Sequence, residues 1–510
     1  MKAIIKRELR RSKQRIEHRL RDRVWMPQDR PMQSAKNIHY EMSSRDRAIG
    51  AGGIGAMQLL AQRLGIAEAI DARLHLLKVH LPYQESDHVL NLAFNALAGG
   101  MCIEDLELLR NSEGYLDAVG AQRIPDPTTA GDFCRRFDVG DVDLLQDVIN
   151  EIRVKVWQRQ PKEFFDQAII DADGTEVPTA GECKEGIGLS YKGTWGYSVL
   201  NMSLANTGEP LFLVNRGANC SSQDGAAERF DQAIELVRRA GFKNVLLRGD
   251  TDFSQTTHSD RWDEAGVKFV FGYDARENLV ETAESLKEEA WQRFERPARY
   301  EVKTEPRTPR DNVKAAIVEQ KEYLNLHLVK EDIAEFAYRP SACKKSYRMI
   351  ALRKTITVER GQKLLYPETR YFFYFTNRRD LTAAEVVAHA NDRCDQENLN
   401  AHLKGGVRAL RAPVDTLVSN WAYMVMTALA WSMKAWFALL LPTAGRWRDR
   451  YRDEQRTLLR MEFRTFLNAM IRVPTQIVRT GRRVVFRLMA YNRWLPALFR
   501  GVDGLRALRC

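Results

Sequence analysis

Cysteine is scarce in this sequence, with seven residues scattered over 510 positions and no CxxC pair. An odd number of widely spaced cysteines argues against a disulfide framework and against a zinc site, and it favours a reducing cytoplasm. The first 25 residues lack an apolar segment, so we expect no secretory leader. Long apolar runs are also rare. The stretch 418–441 could span a bilayer by length, but it contains Asn420 and Lys434, and we interpret it as a buried core helix.

Proline and glycine are too few, at 17 and 31 residues, for a collagen-like or low-complexity chain. Hydrophobic residues make up 44% of the sequence and charged residues 28%, which excludes the disordered class. At roughly 100–200 residues per domain, the length predicts two to four domains with a substantial buried core.

Positive charge is concentrated at the two ends of the chain. The net charge is +11 overall, but it is +7 over residues 1–30 and +11 over residues 445–510, where 16 arginines and no lysines occur. Residues 31–444 are therefore net acidic, at −7. Arginine binds phosphate through two parallel hydrogen bonds, so this distribution favours a nucleic-acid enzyme with basic arms and a carboxylate centre. Solvated terminal charge runs are the alternative.

From residue 165 the apolar pattern changes from the helical period to short strand-like runs. Three strands, a helix, a strand, a helix and another strand follow in order, as in ribonuclease H. A charged helix (277–294) and strand-like runs at 300–302, 324–329 and 348–354 interrupt this plan, and the sheet resumes at 371–376. A capping box, Thr382-x-x-Glu385, then begins a helix that we expect to reach about Lys404.

The predicted fold class is α/β: a ribonuclease-H-like mixed sheet with flanking helices, interrupted by a β-rich insertion, with helical amino-terminal and Arg-rich carboxy-terminal regions. The predicted domains are a basic arm (1–45), a helical DNA-binding domain (46–160), the first part of the core (161–274), a β-rich insertion subdomain (275–367), the second part of the core with the Glu-bearing helix (368–441) and an Arg-rich helical region (442–510).

Acidic residues follow two of the predicted core strands. Asp171 and Asp173 end the apolar run in IIDADGTEVP, and they point to the same face of the sheet because they are two residues apart. Asp250 ends the apolar run in NVLLRGDTDF. An isolated aspartate at a strand end usually caps a turn, but two such strands in this element order favour a common site.

A third carboxylate, Glu397, lies within the helix predicted after residue 382. His389, Arg393, Glu397 and Lys404 are spaced to form one polar stripe, although an Arg–Glu pair four residues apart is usually a helix salt bridge. Two Mg²⁺ ions roughly 3.5–4 Å apart can activate an attacking oxygen and stabilise a leaving one, as in many nucleases and polymerases. Carboxylates are suitable ligands for these ions, so the sequence predicts a magnesium site.

These motifs resemble the DDE transposases of bacterial insertion sequences, in the cut-and-paste branch with a β-rich insertion before the glutamate. The DGT that begins at Asp173 is similar to the first acidic motif, and RGDTDF around Asp250 is similar to the second. Arg393-x3-Glu397-x6-Lys404 matches three of the four letters of the Y-x2-R-x3-E-x6-K signature. The likeness extends over about residues 52–500.

The chain departs from the signature at Ala390, where the family has tyrosine, so any phosphate contact by that tyrosine is lost or supplied elsewhere. The segments ALAGGMCIEDLELLR and RTGRRVVFRL further resemble the insertion-sequence family numbered thirteen-eighty.

The resemblance implies a DNA transposase that binds the inverted repeats of its element as a homodimer, cuts their ends and joins the 3′-OH ends to target DNA. Asp173, Asp250 and Glu397 would be the catalytic residues and the ligands of Mg²⁺, with Mn²⁺ as a substitute. Arg393 and Lys404 would position phosphates. We place the protein in the bacterial cytoplasm, on double-stranded DNA and not on a membrane.

Asp171 is the rival of Asp173 as first ligand, and Asp173 is preferred because the Gly-Thr pair of the family follows it. Asp252 and Glu176 are assigned supporting or structural roles. Three further residues are assigned to DNA contact. Lys192 lies in YKGTW before the second strand, and the alternative for this segment is a simple hairpin turn with a half-buried Trp. Arg248 lies in RGDTDF. Trp291 lies in the insertion, where related enzymes stack a residue on a flipped base, and its alternative role is that of a core tryptophan.

Two other functions remain open: a transposase-derived DNA-binding regulator without catalysis, and a metal-dependent nuclease of the same fold that only hydrolyses. Every acidic motif position is filled, which argues against the regulator, and Ala390 is its only support. The insertion and the two basic ends exceed what a simple nuclease needs.

Overall fold

The computed structural model describes residues 3–21, 38–43, 46–80, 82–296, 325–360, 368–481 and 483–508. Its α-helices are, in chain order, α1 (Ala3–Arg21), α2 (Ile54–Leu64), α3 (Ile66–Asp71), α4 (Glu85–Ala98), α5 (Leu106–Arg110), α6 (Glu113–Val119), α7 (Pro127–Cys134), α8 (Val139–Trp157), α9 (Ala226–Ala240), α10 (Thr256–Glu264), α11 (Glu277–Ser285), α12 (Ala383–Asn391), α13 (Cys394–Ala401), α14 (Leu417–Leu439), α15 (Arg448–Arg460), α16 (Phe463–Phe466) and α17 (Leu495–Ala507).

Within the described residues, the strands form two sheets, one of ten strands and one of three. They are β1 (Ala48–Ile49), β2 (Gln167–Pro178), β3 (Gly188–Leu189), β4 (Trp195–Leu204), β5 (Glu209–Gly217), β6 (Asn244–Gly249), β7 (Lys268–Tyr273), β8 (Gln292–Arg293), β9 (Asn325–Tyr338), β10 (Tyr347–Arg360), β11 (Glu368–Thr376), β12 (Thr475–Thr480) and β13 (Arg483–Leu488).

Five strands in the order β5–β4–β2–β6–β7 form the centre of the large sheet. The first three pair antiparallel, and β6 and β7 continue the sheet parallel to β2. β4 and β6 are buried along almost their whole length. Strands that are covered by helices on both faces are mostly apolar for this reason. The ribonuclease-H-like mixed sheet with flanking helices is confirmed.

The predicted insertion does not form a sheet of its own in the described residues. Instead β11 pairs with β7 on one side and with β10 on the other, and β9 and β8 continue the same sheet. This extension pairs the backbone of β7, which would otherwise be an open edge of the core. The helix predicted over 277–294 is too long, since α11 ends at Ser285 and a strand begins at Gln292. The predicted strand at 300–302 lies outside the described residues.

The apolar helix α14 packs against α4, α8 and β5, and it joins the amino-terminal helices to the sheet. Every residue from Ser419 to Leu439 is buried, as predicted for a core helix. Among the described residues, no single helix has the length and apolar character needed to cross a membrane, although α4 and the segment Ile103–Arg110, bent by 92°, meet this criterion as a pair.

A buried glutamate on β5, Glu209, ties this helical layer to the sheet. Its carboxylate accepts hydrogen bonds from Arg153 Nε at 3.0 Å, from Trp157 Nε1 at 3.0 Å and from Trp436 Nε1 at 2.8 Å. The side chains of Glu209 and Arg153 are 0% and 1% exposed. Two charges are therefore neutralised deep in the core, where each needs its partner.

The carboxy-terminal region is not wholly helical, which corrects the prediction for 442–510. β12 and β13 form a hairpin rich in β-branched residues that turns at Gly481, where φ is +35°. β1 pairs with β12, so the two ends of the described core meet in one small sheet. The high arginine content concealed this strand pattern, because the arginines lie among the valines of the hairpin.

Candidate active site

Two of the predicted carboxylates lie just past the last paired residues of two adjacent strands, Asp173 within β2, which continues to Pro178, and Asp250 directly after β6. β2 and β6 are parallel, with Asp171 opposite Arg248 in the register. Asp173 and Asp250 each come two residues after this last pair, and the charge of Asp250 acts on Asp173. Asp250 also caps a short 3₁₀ turn, accepting a hydrogen bond from the Asp252 backbone N–H at 3.1 Å.

Helix α13 is fixed over this edge of the sheet by a chain of polar contacts. Asn400 Nδ2 donates to Asp173 Oδ2 at 2.9 Å, and Asn201 Nδ2 donates to Asn400 Oδ1 at 2.8 Å. Gln396 Nε2 donates to the Asn201 carbonyl at 3.1 Å, and its Oε1 accepts from Ser203. Gln396 and Asn400 lie four residues apart on the helix face that meets β4. These contacts determine where α13 lies relative to Asp173.

The third carboxylate, Glu397, is joined to Asp173 through an arginine. Arg393 Nη1 lies 3.7 Å from Asp173 Oδ1, and Arg393 Nη2 lies 3.6 Å from Glu397 Oε1. The Arg393 side chain is 17% exposed, whereas that of Glu397 is 62% exposed. The structure thus brings the three predicted carboxylates to one site, with Arg393 between two of them.

The ionised forms of the two aspartates are disfavoured in this surrounding. Burial raises the pKa of Asp173 to about 6, Asp250 and Glu397 add to the increase, and Arg393 opposes it. The pKa of Asp250 is likewise raised by burial, with Asp252 and Glu397 adding and Arg393 opposing. Both shifts have the same main cause, the burial of the carboxyl groups, and the nearby negative charge adds to it while Arg393 opposes it.

The donor set fits a hard divalent cation. Asp173 and Asp250 offer carboxylate oxygens in an excess of negative charge, which is the chemistry that Mg²⁺ or Mn²⁺ requires. In the part of the chain that the structure describes, no three His, Cys, Asp or Glu residues are arranged to hold a metal ion. Glu397, the third predicted ligand, lies 3.6 Å from Arg393.

The helix expected to run from 382 to Lys404 is interrupted. The capping box of Thr382 and Glu385 is present, but the first helix ends at Asn391, the second begins at Cys394, and Lys404 lies in a π-helical turn. Asparagine and aspartate at 391–392 are weak helix formers, and the chain turns there through i→i+3 hydrogen bonds. The continuous stripe that included His389 is therefore wrong.

Lys404 nevertheless faces the site. Burial lowers the pKa of its ammonium, and the charges of Glu176 and Asp173 oppose that decrease. Lys404 thus interacts electrostatically with Asp173 and Glu176, and it offers positive charge to a phosphate.

Asp171 and Arg248 form a buried ion pair beneath the site. Arg248 donates from Nε and Nη2 to the two carboxylate oxygens of Asp171, both at 2.7 Å, and from Nη1 to the His389 carbonyl at 3.0 Å. The exposures of Asp171 and Arg248 are 1% and 4%. The prediction that Arg248 contacts DNA is wrong for this reason, and Asp171 is committed to a structural pair.

Lys192 and Trp291 are the two remaining residues predicted to contact DNA. Lys192 is exposed in the turn between β3 and β4, with its ammonium 5.1 Å from the centre of the Tyr191 ring. Trp291 is half-buried, and the guanidinium of Arg353 lies 4.3 Å from its ring centre. That cation covers one face of the indole, which agrees with the alternative of a packed tryptophan. Base stacking by Trp291 stays a prediction.

Sequence reasoning missed Asn201, Gln396 and Asn400, which position α13. The signal for two of them was available, because Gln396 and Asn400 flank Glu397 at the spacing of one helix face. The signal for Asn201 was not, since a polar residue inside an apolar strand shows no partner in the sequence.

An acidic site of this kind is the class that metal-dependent nucleases and polymerases use. A family model described as "Transposase DDE domain group 1" matches residues 33–510. The chain belongs to this family of DDE transposases. The cryo-EM structure of the piggyBac transposase synaptic complex with hairpin DNA is similar with a TM-score of 0.38 and 10% sequence identity, over 83% of this chain and 84% of that chain. No curated protein matches the sequence.

Proposed function

We propose that this transposase binds the terminal inverted repeats of its own insertion sequence, cuts the DNA at their ends and joins the 3′-OH ends to target DNA. The observation that carries the proposal is that Asp173 and Asp250 each lie two residues beyond the last pair of the adjacent strands β2 and β6, with Glu397 linked to Asp173 through Arg393. The placement in the insertion-sequence family numbered thirteen-eighty is part of this proposal and rests on the sequence segments alone.

Asp173, Asp250 and Glu397 would hold Mg²⁺, or Mn²⁺ in its place. Bound Mg²⁺ supplies charge stabilisation to the attacking and leaving oxygens of the phosphodiester. Water attacks the phosphorus and the P–O3′ bond breaks, which leaves a free 3′-OH for attack on a second phosphodiester. Arg393 lies 3.7 Å from Asp173 and the charge of Lys404 interacts with that of Asp173, so both side chains would hold the phosphate in line for these steps.

The basic ends of the chain would bind the DNA on both sides of the cut. Six exposed arginines lie on or next to α15: Arg446, Arg448, Arg450, Arg452, Arg456 and Arg460. Since two ends must be cut together, we expect a homodimer in the complex with DNA. The protein would work in the bacterial cytoplasm, on the nucleoid.

Cleavage of a labelled duplex that carries the DNA flanking this gene tests the proposal. With Mg²⁺, the wild-type protein should produce nicks at the element ends, and Asp250→Asn and Glu397→Gln should abolish them while they retain DNA binding. Asp274→Asn is the matched control, because Asp274 is an exposed aspartate after the next parallel strand, β7. It should cleave like the wild type.

Each other result points elsewhere. Binding by the wild type without cleavage would favour the regulator, and would mark Ala390 as a sign of a silent copy. Cleavage without joining of 3′-OH ends to a target plasmid would favour the nuclease. Loss of cleavage in Asp274→Asn as well would show that the effect is not specific to the proposed site.

A further inference from the structure

The loop of residues 218–225, which joins β5 to α9, is held by the last arginine of β5. Arg216 Nη1 donates to three backbone carbonyls of this loop, those of Ser221 at 3.2 Å, Ser222 at 3.3 Å and Asp224 at 2.6 Å. Within the loop, Asp224 Oδ2 accepts from the Ser221 backbone N–H at 3.1 Å. One half-buried side chain therefore ties the loop to the end of the sheet.

The loop packs closely against Gly174, the residue that follows Asp173. A Cβ atom at position 174 would lie 3.2 Å from Ser222 Cβ and 3.3 Å from Ser222 Oγ. The first distance is shorter than the roughly 3.5–4.0 Å of an optimal carbon–carbon contact. Glycine thus allows β2 and the loop to approach here more closely than a larger residue would.

The strand β2 is held from both faces at this point. Successive side chains of a strand point to opposite faces, so position 174 faces away from the Asp173 carboxylate. On the Asp173 face, Asn400 of α13 donates to the carboxylate at 2.9 Å. On the other face, Ser222 meets Gly174. The backbone that carries Asp173 therefore lies between α13 and the loop.

The same loop also reaches the chain that follows the second aspartate. Gln255, five residues after Asp250, donates from Nε2 to the Gln223 carbonyl at 3.4 Å. Gln255 has a φ of +42°, a left-handed conformation that is uncommon outside glycine and that persists where the surrounding structure holds it. The loop thus joins the segments that carry Asp173 and Asp250.

We propose that the loop 218–225 fixes the relative position of Asp173 and Asp250, with Arg216 and Ser222 as positioning residues for metal binding. Ser222 limits the movement of β2 at Gly174, and Arg216 holds Ser222 in place. Mg²⁺ requires nearly ideal ligand geometry, and residues that orient metal ligands typically change metal affinity or activity by about 10–100-fold when they are replaced. The inference rests on the proposed function, because it takes the two aspartates as metal ligands.

A size exchange between positions 174 and 222 tests the contact. Cleavage of the duplex that carries the element end is measured over a series of Mg²⁺ concentrations. Gly174→Ala should raise the Mg²⁺ concentration for half-maximal cleavage by about tenfold while it retains DNA binding. Gly174→Ala combined with Ser222→Gly should return this concentration close to the wild-type value, because the added Cβ then occupies the space that the serine side chain leaves.

Two variants control for other effects of these replacements. Ser222→Ala removes the hydroxyl but retains the Cβ, so it should not relieve the defect of Gly174→Ala. Gly50→Ala is the matched control, because a Cβ at position 50 meets no heavy atom of the described residues within 4 Å. It should leave the Mg²⁺ requirement unchanged.

Arg216→Ala tests the tether without any change at position 174. It removes the three hydrogen bonds to the loop carbonyls, so hydrogen exchange of the backbone amides of residues 221–225 should become faster in the metal-free protein. The Mg²⁺ concentration for half-maximal cleavage should rise in the same variant. Hydrogen exchange reports the loop itself, whereas the Mg²⁺ requirement reports the aspartates.

Three results would overturn the positioning role alone. They are faster exchange in Arg216→Ala with an unchanged Mg²⁺ requirement, a Gly174→Ala protein with the Mg²⁺ requirement of the wild type, and a defect in Gly174→Ala that Ser222→Ala relieves as well as Ser222→Gly does. Failure of the wild-type protein to cleave at any Mg²⁺ concentration would overturn the proposed function, and the positioning role with it.

Discussion

Replacement of Asp171 by asparagine should destabilise the fold, whereas the same replacement of Asp173 should not. Asp171 is 1% exposed, and both of its carboxylate oxygens accept hydrogen bonds from Arg248 at 2.7 Å. Arg248 is itself 4% exposed, so the asparagine variant leaves a buried guanidinium without its counter-charge. Loss of one partner of a buried pair costs about 3–5 kcal/mol of the free energy of unfolding.

The change at Asp173 has the opposite sign. Its pKa is about 6 in the folded protein and 3.8 in the reference state, so the folded protein retains a proton between these values that the unfolded chain has released. Stability therefore decreases as the pH rises from about 4 to about 6. Two pH units correspond to about 3 kcal/mol, and Asp173→Asn should recover up to about that amount at pH 7.5 and almost none at pH 4.

The assay is unfolding in guanidinium chloride, followed by circular dichroism and tryptophan fluorescence in EDTA, at pH 4 and at pH 7.5. The control is Asp274→Asn, which removes an exposed carboxylate and should change the free energy of unfolding by less than about 0.5 kcal/mol. An Asp171→Asn protein as stable as the wild type but unable to cleave DNA would refute the reasoning, and would make Asp171 the first ligand. A decrease of several kcal/mol in the free energy of unfolding of Asp173→Asn would refute the expectation that the raised pKa of Asp173 destabilises the fold at neutral pH.

Two further predictions concern the core. Glu209→Gln should lower the free energy of unfolding by about 3–5 kcal/mol in the same denaturation assay, because it leaves the buried Arg153 without a counter-charge. Arg456→Ala is the control. It removes an ion pair whose arginine side chain is 69% exposed, and it should lower the free energy of unfolding by less than about 1 kcal/mol. Lys434, whose pKa burial lowers to about 7, donates to the Leu459 carbonyl at 2.9 Å. Between pH 7 and about 10, Lys434 is protonated in the unfolded chain but not in the folded protein, so the stability of the wild type should rise over this range. Thermal denaturation at a series of pH values measures this rise. The same rise in Lys434→Met would contradict the prediction.

The sequence was sufficient for the carboxylates and the order of the core strands. Apolar runs that each end in an aspartate predicted two core strands, and β2 and β6 pair in parallel as far as Asp171 and Arg248, although β2 continues past Asp173 to Pro178. The Arg393-x3-Glu397-x6-Lys404 match singled out Glu397 in the sequence. In the structure Glu397 contacts Arg393, four residues before it on the chain. Both inferences depend on local periodicity, which a single sequence contains.

Contacts across the fold were beyond that reasoning. Arg248 lies one strand away from Asp171, and only the register between β2 and β6 reveals that the two side chains neutralise each other. The break at 391–394 was missed because the capping box and the apolar residues before it favour a continuous helix. The sequence also did not show that the hairpin of β9 and β10 continues the core sheet through β11. The open edge of β7 that this extension covers is a property of the assembled sheet and not of any one segment.

Arg393, at the break in the helix, contributes to the electrostatics of the site. Its guanidinium lies 3.7 Å from Asp173 and 3.6 Å from Glu397, four residues further along the chain. Burial is the main cause of the raised pKa values of Asp173 and Asp250, and the negative charge gathered at the site adds to it. A divalent cation would balance that charge where a single guanidinium does not, and it would release Arg393 from Asp173 to contact a phosphate. The same residues that make the acidic site costly to fold therefore make it suited to bind metal and DNA together.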